Sequence, residues 1–154
     1  MAHPTNLRFA VAVHLLTLLA ESPASLVDSR ELAVSPATNP VHVRRVLGLL
    51  RAQGLVSSQP GSHGGWALAR PAAQINLGDV WRAVNGDDPL LGLHVPDPNC
   101  PTGRRVQSKL RTLDRRTFDV VVTELERVTI ADMLNDSTAA PSSSVHGLDG
   151  ETQI

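Results

Sequence analysis

Cysteine and aromatic side chains are scarce in this chain of 154 residues, and their scarcity restricts its architecture. The single cysteine excludes a disulfide within the chain and is typical of a protein in a reducing compartment. Aromatic residues make up only 3% of the chain, so aliphatic side chains must fill the core. At this length the chain can bury one substantial core but is short for two full domains.

A large net charge is also missing, because the formal charge at neutral pH is only −1. The two halves nevertheless differ. Residues 1–84 carry seven arginines and four acidic residues, which gives +3, whereas residues 85–154 carry seven basic and eleven acidic residues, which gives −4. The basic half is therefore the one expected to meet nucleic acid, although an excess of this size does not by itself indicate DNA binding.

No apolar run is long enough to span a membrane as a helix. Arg8 followed by the apolar residues 9–20 is similar to a secretory signal, but His14 and Thr17 interrupt the run. We therefore expect a first amphipathic helix over residues 5–21, no membrane partner and a cytoplasmic location. The inward stripe of this helix is Leu7, Val11, Leu15 and Leu18.

A helix-turn-helix pattern follows. Asp28 or Ser29 can cap a short helix over residues 29–34, and residues 35–38 break it. Asn39 and Pro40 then begin a helix over 39–53, and we expect this helix to read the major groove of DNA. Its apolar positions Val43, Val46, Leu47 and Leu50 predict one inward face.

A hairpin follows Gly54, with strands predicted over 55–58 and 66–69 and a glycine-rich turn over 61–65. Helix and hairpin together predict a winged helix-turn-helix. If these elements do not bind DNA, the outer side of the helix is an ordinary solvated face and the glycine-rich segment is an ordinary hairpin turn. The predicted DNA-binding residues are Thr38, Asn39, His42, Arg44, Arg45, Ser57, Gln59, Ser62, His63 and Gly64.

The remaining pattern predicts a fourth helix over 77–84, a connecting or sensor loop over 87–103, a long helix over 104–135 and a disordered tail over 136–154. Residues 1–86 would form the DNA-binding domain. The long helix would overhang such a domain, so we expect it to form a homodimer. The alternative is a helix that folds back on its own domain, broken near Thr129 or Asp132. The predicted dimerisation residues are Val106, Leu110, Leu113, Val121, Leu125 and Val128.

These patterns include a family signature. It consists of the run 47–50, Gly54-Leu55-Val56, Ser58, Gly61, Gly64-Gly65-Trp66 and Leu68-Ala69. The run resembles the Rrf2 family of bacterial transcription regulators, the family of IscR, NsrR and CymR, over residues 5–135. The resemblance implies a mainly α fold with a small β-wing, and a dimeric repressor or activator whose dimer is built on the long helix.

The sequence departs from the family pattern in its number of cysteines. Cluster-binding members carry three cysteines in the loop before the long helix, and this chain has only Cys100, at the place similar to the last of them. Thiolates are the usual ligands of iron–sulfur clusters, so we expect no cofactor, and we expect no metal site. Cys100 precedes Arg104 and Arg105 at the start of the long helix, which makes it a candidate redox sensor. The alternative is a thiol that packs against Leu91 or Val95.

The predicted function is that of a cytoplasmic, homodimeric transcriptional repressor that binds a pseudo-palindromic DNA operator and responds to an oxidant or a small molecule. We do not expect the protein to be an enzyme, since the sequence places no histidine or acidic residue to activate Cys100. The alternative is a protein-interaction module that uses a winged-helix fold without specific DNA binding.

Overall fold

The computed structural model describes residues 7–86 and 88–135. It confirms the predicted fold class, which is mainly α with a small antiparallel β-wing. In chain order the elements are α1 (Leu7–Glu21), α2 (Ser29–Val34), α3 (Pro40–Ala52), β1 (Val56–Gln59), β2 (Gly65–Leu68), a 3-10 turn (Ala72–Gln74), α4 (Leu77–Asn85), α5 (Pro101–Leu125) and α6 (Ile130–Met133). The predicted tail over 136–154 lies outside the described residues.

The core is aliphatic and lies between α1, α3 and α4. The four predicted inward residues of α3 are all fully buried, and they pack with Leu15, Leu16 and Leu19 of α1. Full burial of one such side chain stabilises the folded state by about 1.5–3 kcal/mol. The apolar stripes of these helices therefore account for the way the helices pack on one another.

The helix starts follow from local capping. Asp28 Oδ1 accepts a hydrogen bond of 2.7 Å from the Arg30 N–H, and Asn39 Oδ1 accepts one of 2.8 Å from the Val41 N–H. Pro40 occupies the first helical turn of α3, where its missing N–H costs nothing. The cap Asn39 and the bounds of α2 are as predicted, and Asp28 is the cap of α2 of the two candidates that the sequence offered.

The hairpin begins one residue later than predicted. Leu55 does not join β1, because its N–H donates to the Leu50 carbonyl at 3.0 Å and so belongs to the exit turn of α3. Gly54 enables that turn with a φ of 67°, a conformation that glycine adopts without strain. The strands then pair in register from Val56 with Leu68 to Gln59 with Gly65.

The segment predicted as one helix over 104–135 is two helices, and this corrects the expected bounds. Helix α5 starts earlier, because Cys100 caps it and Pro101 fits its first turn. It ends at Leu125, and the chain turns back onto the domain. There the Val128 carbonyl accepts from the Leu77 N–H at 2.8 Å, and the Ile130 N–H donates to the Ile75 carbonyl at 2.9 Å.

Helix α6 is held by a capping box. The Thr129 N–H and hydroxyl both donate to Asp132 Oδ2 at 2.8 Å, and the Asp132 N–H donates back to the Thr129 hydroxyl. Ile130 beside them is fully buried in the same core as α1. The C-terminal end of the described chain is therefore part of the domain that the N-terminal helices build.

Candidate nucleic-acid interface

A tight turn sets the angle between α2 and α3. The Ala37 N–H donates to the Val34 carbonyl at 3.1 Å, and the Thr38 N–H donates to the Ala33 carbonyl at 3.2 Å. Ala37 has a φ of 48°, in the left-handed region. The turn ends α2 and starts α3 within a few residues, as a helix-turn-helix requires.

The outward face of α3 is basic. Arg44 and Arg45 are exposed, and Val41 between the cap and these arginines is 65% exposed. The Arg44 Nε–H donates to the Pro40 carbonyl at 3.4 Å, which leaves its two terminal nitrogens available for a ligand. Arginine presents such donors in a fork that suits guanine edges and phosphates.

The residues at the start of α3 are less available. Asn39 is exposed, but its side-chain oxygen serves the helix cap, and Thr38 is half-buried. His42 is also half-buried, and its Nε2 is buried with no hydrogen-bond partner among the described residues. Of the predicted contacts on α3, the structure therefore presents the two arginines most openly.

The wing presents four of the predicted side chains to solvent, namely Ser57, Gln59, Ser62 and His63. Gly64 has a structural role. A Cβ at this position would lie 2.1 Å from the Gln59 carbonyl oxygen, a distance that no side chain tolerates. Gly64 therefore allows the turn at the tip of the hairpin to form, and that turn presents the polar residues to solvent.

Arg51 connects the reading helix to the wing. Its guanidinium donates to Ser58 Oγ at 2.9 Å and lies 5.6 Å from the centroid of the Trp66 ring. It therefore contacts both strands of the hairpin from the last turn of α3. The sequence alone did not reveal this role of Arg51, because Trp66 lies fifteen residues further along the chain.

A short backbone bridge connects the wing to the segment before α2. Val27 and Trp66 exchange two hydrogen bonds, of 3.0 Å and 2.9 Å, as an isolated antiparallel pair. A Cβ on Gly65 would lie 2.8 Å from the Val27 carbonyl oxygen, so glycine permits the close approach. The wing is therefore joined to α3 through Arg51 and to the segment before α2 through Val27.

Helix α5 exposes apolar side chains at a spacing of seven residues. Val106, Leu113 and Val120 are 42%, 50% and 70% exposed, and we call these three residues the seam. Val120 was not among the predicted dimerisation residues. Among the predicted dimerisation residues outside the seam, Leu110 and Val121 are half-buried, and Leu125 and Val128 pack against the core of their own domain.

Cys100 is exposed at the N-cap of α5. Its Sγ accepts a hydrogen bond of 3.3 Å from the Gly103 N–H. The exposed thiol does not fit the alternative in which Cys100 packs into the loop. Arg104 donates from its guanidinium to the Pro98 carbonyl, at 2.5 Å, and so lies beside the same turn.

The described residues offer no multi-ligand metal site. Nowhere in 7–86 and 88–135 do three or more histidine, cysteine or acidic side chains gather in a way that suits a metal ion. Across the same ranges no helix has both the length and the apolar character to cross a membrane.

Comparison with known proteins identifies the family. The family model Rrf2, described as an iron-dependent transcriptional regulator, matches residues 5–136. This chain belongs to the Rrf2 family. YwnA of Bacillus subtilis, a candidate HTH-type transcriptional regulator, is 34% identical over 131 residues, which cover 84% of this chain and 96% of YwnA. The chain is accordingly a DNA-binding transcriptional regulator with a winged helix-turn-helix.

Solved Rrf2-like structures share the fold. A candidate transcriptional regulator from Lactobacillus plantarum is 28% identical, with a TM-score of 0.69 and coverage of 82% of this chain and 87% of that one. CymR of B. subtilis, described as a global cysteine regulator, is 21% identical, with a TM-score of 0.59 and coverage of 87% and 97%. The likeness to CymR shows the fold alone.

An iron–sulfur cluster does not fit the donors that the described residues bring together. An iron–sulfur cluster takes four ligands, most of them thiolates, and this chain has one cysteine. His94 and Asp97 are near it in sequence, yet the described residues form no cluster of three potential ligands.

Proposed function

We propose that this Rrf2-family protein is a cytoplasmic, homodimeric repressor that reads a pseudo-palindromic operator. The observation that carries the proposal is the exposed arginine pair Arg44 and Arg45 on a helix that Arg51 ties to the wing. Helix α3 enters the major groove, and the tip over 60–64 reaches the adjacent minor groove or its backbone. Because no ion pair engages Arg44 or Arg45 in the described part of the chain, both are free to bind DNA.

The seam supports the homodimer. Apolar residues seven apart lie along one side of a helix and pack on the same side of a second copy. Helix α5 has 25 residues and one buried side chain, Val122, so most of its surface is unused by its own domain. A two-fold dimer places two copies of α3 about one DNA turn apart, roughly 34 Å, which matches a pseudo-palindrome.

We propose repression without a metal cofactor. A compact dimer on a promoter excludes polymerase and requires no activating contact. The donor set argues for a member of the family that works without a cluster, because one thiolate per chain is a poor ligand set.

We extend the proposal to a redox response at Cys100. The thiol is exposed at the start of α5, so oxidation to a sulfenic acid, or a bridge between two copies, would alter the helix that carries the dimer. The test compares wild type with Cys100→Ser in DNA binding before and after mild peroxide. We expect the wild type to lose affinity and recover it with a thiol reductant. A Cys100→Ser variant that responds equally would remove the redox role.

The central experiment measures binding of the reduced protein to labelled DNA from upstream of its own gene, against scrambled DNA and against a random pool. We expect specific binding that weakens steeply as salt rises. Arg44→Ala and Arg45→Ala should each cost about 1–3 kcal/mol, while the matched control Arg105→Ala on α5 should leave affinity unchanged. If the random pool yields no preferred site, the protein-interaction module becomes the better interpretation.

A further inference from the structure

A pocket of about 590 Å³ lies between α5 and the segment that follows α4. Its size falls within the range of small-molecule sites in proteins. Pro89 and Leu93 on the segment and Phe118 on α5 supply apolar walls. Neither the interface with DNA nor the seam uses these residues.

The pocket occupies its own side of α5. Arg111, Arg115 and Phe118 line it, and their spacing of three and four residues places them on one helical face. At about 100° per residue, Arg111 lies roughly 160° around the helix from Leu113 of the seam. A second copy bound along the seam therefore leaves the pocket open.

Hydrogen bonds hold the segment over the helix, and the Gln107 side chain donates one of them to the His94 carbonyl at 3.3 Å. The Leu91 N–H donates to Asp114 Oδ1 at 2.6 Å, and Asp114 also lines the pocket. The apolar wall that includes Pro89 and Leu93 is thereby fixed opposite Phe118. The pocket is thus bounded by two different parts of the chain that a side-chain contact joins.

Both signs of charge face the pocket without neutralising one another. Arg111 and Arg115 line it together with Asp88 and Asp119, and no ion pair joins any of them in the described part of the chain. Arg115 and Asp119 are four residues apart on α5, a spacing at which a pair could form, yet they do not close on each other. A ligand with an anionic and a cationic group would satisfy both kinds of side chain.

We propose that this pocket binds an α-amino acid with an apolar side chain. The carboxylate is held by the guanidinium groups of Arg111 and Arg115, which offer paired donors. The ammonium group is held by the carboxylates of Asp88 and Asp119. The side chain of the ligand lies against Phe118 and Leu93, where it leaves water.

Binding there also regulates the DNA reader, and this step rests on the proposed function. The pocket begins at Gly86, immediately after α4, and α4 packs on both α3 and α5. A ligand that draws the segment and α5 together changes the angle between α5 and the reading domain. In a dimer, that angle sets the separation of the two reading helices.

The test is calorimetric titration of the full chain, free of DNA, with a panel of the standard amino acids at millimolar concentration. We expect the apolar ones to bind and the acidic and basic ones to bind more weakly. Arg115→Gln and Asp119→Asn should each weaken binding by about 10- to 100-fold, since each removes a charged hydrogen-bond partner. The matched control Arg116→Gln, on the same helix but outside the pocket lining, should bind as the wild type does.

Several outcomes overturn the proposal. One is that no amino acid binds to protein whose circular dichroism shows a normal fold. Another is that Arg115→Gln alters the oligomeric state and no amino acid binds, which would assign the pocket to the interface between copies. Titration followed by DNA binding separates the two steps. Binding that leaves operator affinity unchanged keeps the site and overturns its regulatory role, and specific DNA binding with no amino-acid site keeps the proposed function alone.

Discussion

The domain formed by α1 to α4 and the helix α5 use their apolar residues in opposite ways. Five of the fifteen residues of α1 are buried, whereas α5 buries one residue of 25. The domain buries most of its leucines and valines, and α5 displays the seam to solvent. The difference teaches that the domain can hold itself together, whereas α5 has a surface suited to another molecule.

The largest expected effect is in the domain core. Leu47→Ala removes a fully buried side chain, so we expect the free energy of unfolding to fall by about 2–5 kcal/mol, as measured by urea denaturation. Leu113→Ala, made on half-exposed surface, is the matched control and should change the stability of dilute monomer by about 0.5 kcal/mol or less. Equal losses in the two variants would contradict the contrast between domain and helix.

The next effect concerns association through the seam. Leu113→Asp places a charge on the apolar face, so we expect a monomer in light scattering and operator affinity lowered by more than about tenfold. Thr112→Asp adds the same charge on an exposed neighbouring face and should leave the dimer intact. A dimeric Leu113→Asp variant with full operator affinity would exclude the seam as the interface.

A smaller effect is expected where α3 meets the wing. Arg51→Ala removes the hydrogen bond to Ser58 and the contact with Trp66, together worth about 1–2 kcal/mol. We expect faster hydrogen exchange in β1 and β2 and weaker operator binding, with partial rescue in Arg51→Lys. Unchanged exchange in the wing, with affinity lost all the same, would mean that Arg51 binds DNA directly.

The smallest effect is a pH dependence at the start of α6. The Thr129 N–H and hydroxyl, in that order of importance, hold the pKa of Asp132 below its usual value of 3.8. The resulting stabilisation is present above the unfolded-state pKa and is lost as pH falls through the lower folded-state pKa. Asp132→Asn should therefore melt slightly lower than wild type at neutral pH, and the difference should narrow in acid. A difference in melting temperature that widens in acid would contradict a lowered pKa for Asp132 in the folded state.

Local signals allowed much of the fold to be predicted. The caps Asp28 and Asn39, the bounds of α2 and the inward face of α3 depend on residues a few positions apart, and sequence reasoning found them. The exposed arginines of α3 and the polar wing tip followed in the same way. Short-range hydrogen bonds and helical periodicity decide all of these features.

Features that depend on distant residues were missed or, like the break near Thr129, left as an alternative. Helix α5 stops where Val128 and Ile130 pair with Leu77 and Ile75, which lie some fifty residues earlier. The predicted dimerisation set included Val121, whereas the structure exposes Val120 most in this part of α5. Valine occupies 120, 121 and 122, and periodicity alone does not say which of three adjacent valines faces outward. The Thr129–Asp132 capping box was readable locally, and it would have signalled a new helix start.

The pairing of Asn76 with Thr129 means that the chain leaves the reading domain after α4 and rejoins it before α6. Helix α5 is consequently tethered at both of its ends, whereas a single linker would let the two parts swing. For the proposed dimer without a ligand in the pocket, such a frame limits the motion of α5 and so sets the distance and the twist between half-sites. We expect a natural operator lengthened by one base pair at its centre, about 3.4 Å of rise and a tenth of a turn, to be bound poorly by this protein.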